Sequence, residues 1–453
     1  MAGMLKRLLL LALLTGASSQ EMPWYQAVSM FHFPKVAASE FGDTNGHFLP
    51  LVSNSSAEFV LVDFYAPWCP HCQHFAPEFE RLALAIQRES LTPYPRLLAA
   101  TVDCVQYANT CNDWHIDFFP SLVWGSKADW LSRDLKRLKM VQPTSPTAEG
   151  VADWINMYTP IRVHPHNVSR QEIANLLHAN GTKPGVRFIA SALAPMTSVD
   201  PWDLQLATAL LVHETLARHR DSESSLKVLN NFIQLLQQRF PESPEEGASP
   251  KGACRSSLVH LGTELASGQA VDPDDLEARW RLCDTDWAQY GTRSWRSCRG
   301  TWPGKRGFTC GLWSLFHTVV ARGDDHSALE DTKTIRAVIG QIFDCYDCRK
   351  HFLKIPWTEN ATQTRRDAQL WWWQAHNQVN NHVQQLEWQY QDADPEFPKI
   401  QWPAQAQCPD CRAPAVPSFL SRARPGSTST ASQLPWRLNK VAHFLDRFYG
   451  AST

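Results

Sequence analysis

Two pairs of cysteines with Cys-x-x-Cys spacing stand far apart in the 453 residues of this chain. The first is Cys69-Pro70-His71-Cys72 and the second is Cys345-Tyr346-Asp347-Cys348. Cysteines at this spacing can alternate between a dithiol and a disulfide, because a thiolate of one reaches the sulfur of the other. Two such pairs in one chain are the layout of an electron relay, which takes electrons from external dithiols and passes them on.

The first pair follows an apolar run, residues 59–66, whose length and β-branched content predict a buried strand. A helix is expected to begin at Cys69, where the helix N-terminus favours a thiolate. We therefore predict that Cys69 is the nucleophile and that Cys72, one turn further in, is the buried resolving thiol. His71 can stabilise the Cys69 thiolate. The alternative interpretation is a structural disulfide in a surface turn.

Around the second pair, aromatic, histidine and asparagine side chains recur three to four residues apart, so that they share helix faces. A dithiol cannot pass electrons to oxygen by itself, so a relay that ends at Cys345 and Cys348 needs a cofactor, and a flavin is the obvious one. Arg306 could bind a phosphate of that cofactor. The other side chains expected to line the site are Trp313, His317, His351, Trp373, His376, Asn377 and Asn380.

Composition narrows the possible functions. The chain has room for about three domains at ~150 residues each. Its net charge of −2 and its 19% of charged residues provide no overall field to recruit nucleic acid or an anionic membrane. Its twelve cysteines are an even number, which indicates disulfides in an oxidising compartment. Zinc is the alternative for several Cys-x-x-Cys units, but there is no closely spaced Cys/His quartet, and we expect no metal.

The N-terminus has the order of regions of a secretory signal peptide. Lys6 and Arg7 precede the apolar run 8–14, which is shorter than the ~18–20 residues of a membrane span. Residues 1–19 are therefore expected to be a cleaved signal rather than an anchor, and no later segment is apolar enough to span a membrane. The predicted location is the lumen of the secretory pathway or the outside of the cell. Glycosylation sequons, which also arise by chance, occur at Asn54, Asn167, Asn180 and Asn360.

Periodicity divides the rest of the chain into four parts. Residues 22–160 alternate strand-like and helix-like segments, which predicts an α/β domain. Residues 161–290 show apolar stripes at helical spacing and are interpreted as a helix-rich spacer. Residues 291–412 form a second helical unit, rich in Trp. Residues 413–453 are a Pro/Ser/Thr-rich tail with a short amphipathic helix, to which we assign no chemistry.

The segment from Val62 to Cys72 resembles the thioredoxin family, which includes the disulfide isomerases. By this resemblance Asp63 is the buried acid of that fold, and Phe119-Pro120 is its cis-proline, which would offer backbone hydrogen bonds to a substrate cysteine strand. The Pro-His dipeptide is that of strongly oxidising relatives, so this pair should readily give away its disulfide. Cys104 and Cys111 look structural.

The second unit strongly resembles the Erv/ALR sulfhydryl oxidase fold, a helical bundle that holds FAD against its Cys-x-x-Cys. The matching segments are 306–317, 345–352, 376–380 and 397–403. Thioredoxin joined to this module is the arrangement of the quiescin sulfhydryl oxidases, and the resemblance covers most of residues 22–412. The FAD contacts that it implies are Arg306, Trp313, His317, Asp347, His351, Trp373, His376, Asn377, Val379, Asn380, Lys399 and Trp402.

The same resemblance implies roles for further cysteines. Cys348 would lie against the flavin, and Cys345 would accept electrons from the first domain. Cys298 with Cys310, and Cys408 with Cys411, look like the accessory disulfides of the family.

One feature departs from the animal members, which carry a second, redox-silent thioredoxin domain. Residues 161–290 are predicted to be helical throughout, as in the shorter plant and protist forms, and are interpreted as a degenerate Erv-like spacer. Cys254 and Cys283 are not placed by the resemblance.

We predict an FAD-dependent thiol oxidase that forms disulfides in secretory proteins. Reduced or unfolded protein thiols would reduce Cys69–Cys72, this pair would reduce Cys345–Cys348, and oxygen would leave as hydrogen peroxide. Nucleic acid is not an expected partner. The alternatives are a flavin-free disulfide isomerase, whose C-terminal module only binds partners, and a secreted adaptor with inert disulfides.

Overall fold

The computed structural model describes most of both predicted redox units. The described residues are 39–40, 49–89, 97–179, 198–241, 254–268, 271, 295–301, 305–390, 392–413 and 435–450. The expected signal peptide, Asn180, Cys283 and the Pro/Ser/Thr-rich part of the tail lie outside them, as does the side chain of Cys254. The pairing of Cys254 and Cys283 therefore stays open.

The N-terminal unit is an α/β fold around a five-stranded sheet of order β1-β3-β2-β4-β5. Strand β2 is parallel to β3 and antiparallel to β4. The strands are β1 (Ser39–Glu40), β2 (Phe59–Tyr65), β3 (Leu97–Asp103), β4 (Ser121–Ser126) and β5 (Lys139–Met140). The helices of this unit are α1 (Leu49–Asn54), α2 (Pro70–Glu89), α3 (Ala108–Asp113), α4 (Lys127–Ser132) and α5 (Ala148–Tyr158).

Strand β2 carries the chain to the first cysteine pair. Its residues from Val60 to Tyr65 are all buried, which explains why the sequence there is a continuous apolar run rather than an alternating one. Asp63 is buried within it, only 3% exposed. The strand predicted over 59–66 and the helix predicted after it are both confirmed, and the Phe119-Pro120 bond is cis as expected.

Helices make up most of the rest of the described chain, as predicted. Polar residues begin two of its helices, since the side chains of Asp200 and Ser222 accept hydrogen bonds from backbone N–H groups of the first turn. A π-helical turn, residues 338–342, leads from α11 to the second cysteine pair. The helices are α6 (Arg170–Ala179), α7 (Pro201–His219), α8 (Glu223–Arg239), α9 (Cys254–Ser267), α10 (Gly307–Ala321), α11 (Ala328–Ala337), α12 (Tyr346–Leu353), α13 (Arg365–Tyr390) and α14 (Leu438–Tyr449).

Helix α7, in the region interpreted as a spacer, is buried on every side from Trp202 to Ala217. It packs against α10 and α8 of the helical part and against α3 of the α/β unit. Its buried residues include polar ones, among them Asp203, Thr208 and Glu214, and its apolar residues belong to a core that contains residues of both redox units. Within the described ranges, no helix combines the length and the apolar character needed to cross a bilayer.

The close packing of α7 against α10 depends on Gly311. A Cβ atom at this position would lie 2.6 Å from the Trp295 ring and 2.9 Å from the Cβ of Ala207. We expect Gly311→Ala to lower the free energy of unfolding by about 1–3 kcal/mol, because the added methyl overpacks the contact. Denaturant titration followed by circular dichroism measures this loss of unfolding free energy.

Gly340→Ala is the matched control, since its added Cβ would meet only Leu353, at 3.8 Å. This change should be neutral or stabilising, because glycine within a helical segment costs ~0.5–1 kcal/mol relative to alanine. If both variants lost the same unfolding free energy, the close contact at Gly311 would be contradicted.

Candidate active site

The first cysteine pair lies at the junction of β2 and α2. The backbone N–H of Cys69 donates to the carbonyl of Ala66 at 3.0 Å, which closes the turn before the helix. Cys69 and Cys72 are both buried free thiols. The predicted positions, one cysteine at the helix start and one a turn further in, are thus those of the structure.

The two thiols have opposite acidities. Burial favours the neutral thiol of Cys69, but hydrogen bonds from Cys72 and His71, together with the charge of His71, outweigh it and lower the Cys69 pKa to about 6. Burial, and then the hydrogen bond and charge of Cys69, raise the pKa of Cys72 well above the ordinary value. At neutral pH the pair therefore holds one reactive thiolate and one protonated thiol.

The two redox pairs meet in this structure. The Sγ atom of Cys69 lies 3.1 Å from the Sγ atom of Cys345, and Cys345 is joined to Cys348 by a disulfide. The Phe119 N–H donates to the carbonyl of Asp344 at 3.0 Å, and Phe119 forms a parallel β-bridge with Cys345. The segment before Cys345 thus occupies the place that a cis-proline loop offers to a substrate cysteine strand.

Asp344 ties this contact to helix α7. Its carboxylate is 3.0 Å from Nε of Arg218 and 2.8 Å from Nε2 of His219, and the residue is only 3% exposed. Arg218 also donates to the carbonyl of Ile116 in the α/β unit. One buried carboxylate is therefore shared between the second cysteine pair and the helix that joins the units.

A second polar contact crosses the interface beyond the cysteines. Nδ1 of His74, on α2, and Nζ of Lys305 both lie 2.7 Å from Oδ2 of Asp392. Burial opposes ionisation of Asp392, but the His74 hydrogen bond and Lys305 outweigh it and lower the pKa of this carboxyl. Helix α2 of the α/β unit is thus held against the helical unit by a charged group that stays ionised.

A cavity of about 520 Å³ opens behind the second pair, with Cys348 in its wall. The rings of Trp313 and His376 stack there, with centroids 4.2 Å apart and planes within 2° of parallel. Of the FAD contacts implied by the resemblance, the cavity is lined by Arg306, Trp313, His351, His376, Val379, Asn380, Lys399 and Trp402.

The remaining predicted contacts lie behind the cavity wall or beside it. Nε2 of His317 is 3.0 Å from Nδ1 of His376. Trp373 and Asn377 both donate to the carbonyl of Trp402 at 2.7 Å, so they support the wall from outside. Asp347 is half-buried on α12. Direct contact of these four with a cofactor stays a prediction.

Burial keeps the two histidines of the wall neutral. It lowers the pKa of His317 to about 3 and, with the nearby His317, Lys399 and Arg306, lowers that of His376 well below its ordinary value. Their ring nitrogens are close enough to share one hydrogen bond, so one ring donates and the other accepts. The wall beside Trp313 is consequently flat, aromatic and uncharged.

Arg306, by contrast with this uncharged wall, brings a buried positive charge to the cavity. It pairs with no carboxylate among the residues described and donates to the carbonyl of Arg299 at 2.9 Å. Its backbone is left-handed, with φ of 65°, a strained conformation for a residue with a side chain. Burial lowers the pKa of both Arg306 and Lys399, and a bound anion would offset that cost. Nζ of Lys399 lies 3.8 Å from Oε1 of Glu387. An aromatic wall beside these two buried cations, of which Arg306 has no paired carboxylate among the residues described, fits a flavin dinucleotide.

Two lining residues, Phe448 and Tyr449, come from the tail, to which the sequence analysis assigned no chemistry. Tyr449 stacks on His317 with ring centroids 4.9 Å apart, and Phe448 packs on Trp402. The sequence contains a signal for the packing of this helix, because Val441, Phe444 and Phe448 recur at helical spacing. Such an apolar stripe needs an apolar partner.

The first unit supplies further lining residues that the sequence analysis missed. They are Trp68, Pro70, His71, Gln73 and His74. No local pattern indicates this, since the contact arises only when the two units meet. The cavity is thus built from both units.

The three disulfides expected to be structural are present. They join Cys104 to Cys111, Cys298 to Cys310, and Cys408 to Cys411. The second of them fixes the loop at 295–301 to the first turn of α10, beside Arg306.

Comparisons with known proteins identify the same two units. Residues 42–136 match the Thioredoxin family profile, and residues 310–403 match that of the Erv1 / Alr family. "Sulfhydryl oxidase 1" of Oryza sativa subsp. japonica is 28% identical over 91% of this chain and 77% of its own length. "Sulfhydryl oxidase 2" of Arabidopsis thaliana is 28% identical over 98% and 86%, and "Sulfhydryl oxidase 1" of Cavia porcellus is 32% identical over 80% and 75%.

The low pKa of Cys69 predicts how its reactivity depends on pH. In a reduced chain carrying Cys345→Ser and Cys348→Ser, to remove competing thiols, alkylation of Cys69 by iodoacetamide should reach half its plateau rate near pH 6, with a pKa of about 6. Reactivity is lost below this pH because the thiolate is protonated. In the same background, His71→Ala should move the midpoint upward by about 1–3 units. An unmoved midpoint would show that His71 does not stabilise the thiolate.

Proposed function

This chain belongs to the sulfhydryl oxidase family and is a thiol oxidase, and on that premise we propose that it forms protein disulfides with FAD as cofactor and oxygen as acceptor. The observation that carries the proposal is the 3.1 Å contact between the sulfurs of Cys69 and Cys345, with Cys348 facing the cavity. A flavin-free isomerase, the alternative, has no use for a second dithiol at such a cavity.

The transfer between the pairs is a thiol–disulfide exchange. After a substrate dithiol has reduced the first pair, the Cys69 thiolate attacks Sγ of Cys345, and Cys348 leaves as a thiolate. Cys72 then loses its proton and attacks Cys69, which releases Cys345. The first pair ends as a disulfide and the second as a dithiol, so two electrons have crossed.

The pKa pattern supports these roles. Cys69 is ionised at neutral pH, with a pKa of about 6, and can attack first. Cys72 stays protonated because burial, and then the hydrogen bond and charge of Cys69, raise its pKa. Once Cys69 has become part of a mixed disulfide its negative charge is gone, so Cys72 ionises more easily and can complete the exchange.

The cavity residues suit the oxidation of the second pair. Bound FAD would supply an acceptor for the two electrons released when the Cys345–Cys348 dithiol closes to a disulfide, and oxygen would finally take these electrons, with two protons, to give hydrogen peroxide. Trp313 and His376 would hold the flat ring system, and Arg306 and Lys399 would bind the phosphates. Neutral His317 and His376 add no charge of their own to the ring site.

Substrate access requires the two units to separate. Cys69 is buried completely, and the backbone N–H of Phe119 is already bonded to Asp344. A protein thiol therefore reaches Cys69 only when the segment before Cys345 has left. The enzyme alternates between an open state that binds substrate and the closed state seen here, and this motion can limit turnover.

We further propose that the enzyme works on reduced proteins in the lumen of the secretory pathway or outside the cell. The N-terminal signal pattern supports this. So do the structural disulfides, which persist in oxidising compartments. Asn54, Asn167 and Asn360 are exposed, as acceptors of glycans must be.

Two substitutions separate the steps. Cys69→Ser should abolish oxidation of a reduced protein, while a small dithiol still supports slow oxygen uptake by reducing the second pair directly. Cys348→Ser should stop oxygen uptake with both substrates, because no thiolate then faces the flavin. Oxygen uptake by both variants, with flavin content measured by absorbance, checks this. A wild-type rate of protein oxidation by Cys69→Ser would rule out the relay.

The 3.1 Å contact predicts which mixed disulfide carries the electrons. In Cys72→Ser/Cys348→Ser neither resolving thiol is present, so mild oxidation with diamide, which takes up two electrons and two protons, should join the two remaining thiols as Cys69–Cys345, to be found by mass spectrometry of unreduced peptides. Cys72→Ser/Cys345→Ser is the control and should not form the corresponding bond to Cys348. If the control trapped as much as the test variant, Cys348 would be an equally good acceptor and the assignment would be wrong.

A further inference from the structure

The segment around Cys345 shows how the cysteine of a client protein, one whose thiols are oxidised, can dock on the first unit. Sγ of Cys345 lies 3.1 Å from Sγ of Cys69. Cys345 forms a parallel β-bridge with Phe119, whose N–H donates to the carbonyl of Asp344. A client cysteine that exchanges with Cys69 must bring its sulfur to the same place. In the same register, its two chain neighbours therefore lie where Asp344 and Tyr346 lie.

The residue after the docked cysteine meets an aromatic ring of the α/β unit. The ring centroids of Tyr346 and Phe118 are 4.9 Å apart, with planes inclined at 37°. Cys345 has an extended backbone, and side chains of an extended segment alternate between its two faces. This alternation agrees with a Cys345 side chain that faces Cys69 and a Tyr346 side chain that faces Phe118. Tyr346 is still 40% exposed, so the ring contact lies at the open edge of the interface.

Phe118 is held in position by its own unit. The hydroxyl of Ser121 donates to the Phe118 carbonyl at 2.6 Å. The ring of the next residue, Phe119, is fully buried, with the Arg218 guanidinium 4.6 Å from its centroid. Phe118 is only half-buried, even in the closed state. When the two units separate it loses the Tyr346 ring, so Phe118, rather than Phe119, presents an aromatic face to a client.

We propose that Phe118 is a specificity-determining residue, which favours client cysteines followed directly by an aromatic residue. The clients are those of the thiol oxidase proposed above, on which this assignment rests. Aromatic pairs at such a separation are stabilised beyond the apolar area that they bury. No preference is assigned to the residue before the cysteine, because the groups that bind Asp344, Arg218 and His219, belong to α7 rather than to the α/β unit.

A preference of this kind also distinguishes unfolded clients from folded ones. Aromatic side chains are mostly buried in folded proteins, whereas an unfolded chain exposes them. The ring of Phe118 therefore gains its contact chiefly from chains that have not yet folded around their cysteines. The chemical class of client is an unfolded chain with Phe, Tyr or Trp directly after the reacting cysteine.

The experiment isolates the exchange at Cys69 in the full-length, flavin-loaded chain carrying Cys72→Ser, Cys345→Ser and Cys348→Ser. The client is a peptide whose single cysteine is joined to thionitrobenzoate by a disulfide. The Cys69 thiolate attacks the peptide sulfur and forms a Cys69–peptide disulfide, while thionitrobenzoate leaves as a coloured thiolate. One peptide has Tyr directly after its cysteine. The other has the same composition, with that Tyr exchanged for an Ala further along. Adding Cys69→Ser gives the background rate.

The measured quantity is the ratio of the two peptide rates, because any change in how often the units separate affects both peptides alike. The peptide with the adjacent Tyr should react about three- to tenfold faster. Phe118→Ala should bring the ratio to about one, and Phe118→Tyr, which keeps a ring, should preserve it. Tyr158→Ala is the matched control, because Tyr158 is an exposed ring of the same unit whose ring contact is with Trp154. It should leave the ratio unchanged.

Two outcomes overturn the proposal. One is equal rates for the two peptides in the chain that keeps Phe118, and the other is an undiminished ratio in Phe118→Ala. The symmetric disulfide of thionitrobenzoate, a small reagent, tests whether Cys69 is still reactive in that variant. If it is not, Phe118→Leu is measured instead and must lower the ratio. The assay needs neither oxygen nor flavin reduction, so its failure leaves the oxidase proposal standing, and a chain without oxidase activity can still be scored.

Discussion

Thiol–disulfide exchange requires the attacking sulfur to come almost into contact with the sulfur that it attacks. In this structure a series of contacts holds the two sulfurs at that distance. The 3.1 Å separation of Cys69 and Cys345 is held by a backbone hydrogen bond from Phe119 to Asp344. Asp344 is in turn fixed by Arg218 and His219 of α7. The buried helix between the redox units therefore orients the second pair as well as connecting the first to it.

The same closed arrangement explains why the cavity contains residues of both units. Pro70 and His71 line it because α2 begins where α12 begins. The first pair therefore lies beside the Cys345–Cys348 disulfide, which receives its electrons. The cost is that the substrate site and the transfer site are one place on the α/β unit, so a substrate and the second pair cannot occupy it together.

The sequence predicted those features whose causes are local. The strand before Cys69 is a continuous apolar run because both faces of β2 are covered, and the four-residue spacing of Trp313 and His317 places them on one face of α10. Features that depend on distant contacts were not predictable. The apolar stripe of α14 indicates that the helix needs a partner, but nothing near Tyr449 indicates that this partner is His317, and nothing near Asp392 indicates its bond with His74.

Helix α14 also bears on the order in which the molecule is made. Chains fold from the N-terminus during synthesis, so the α/β unit with Cys69 and Cys72 can form long before residues 438–449 leave the ribosome. The cavity wall is finished only when Phe448 and Tyr449 arrive. A nascent chain can therefore have a folded first dithiol before the cavity beside the second pair has its full wall.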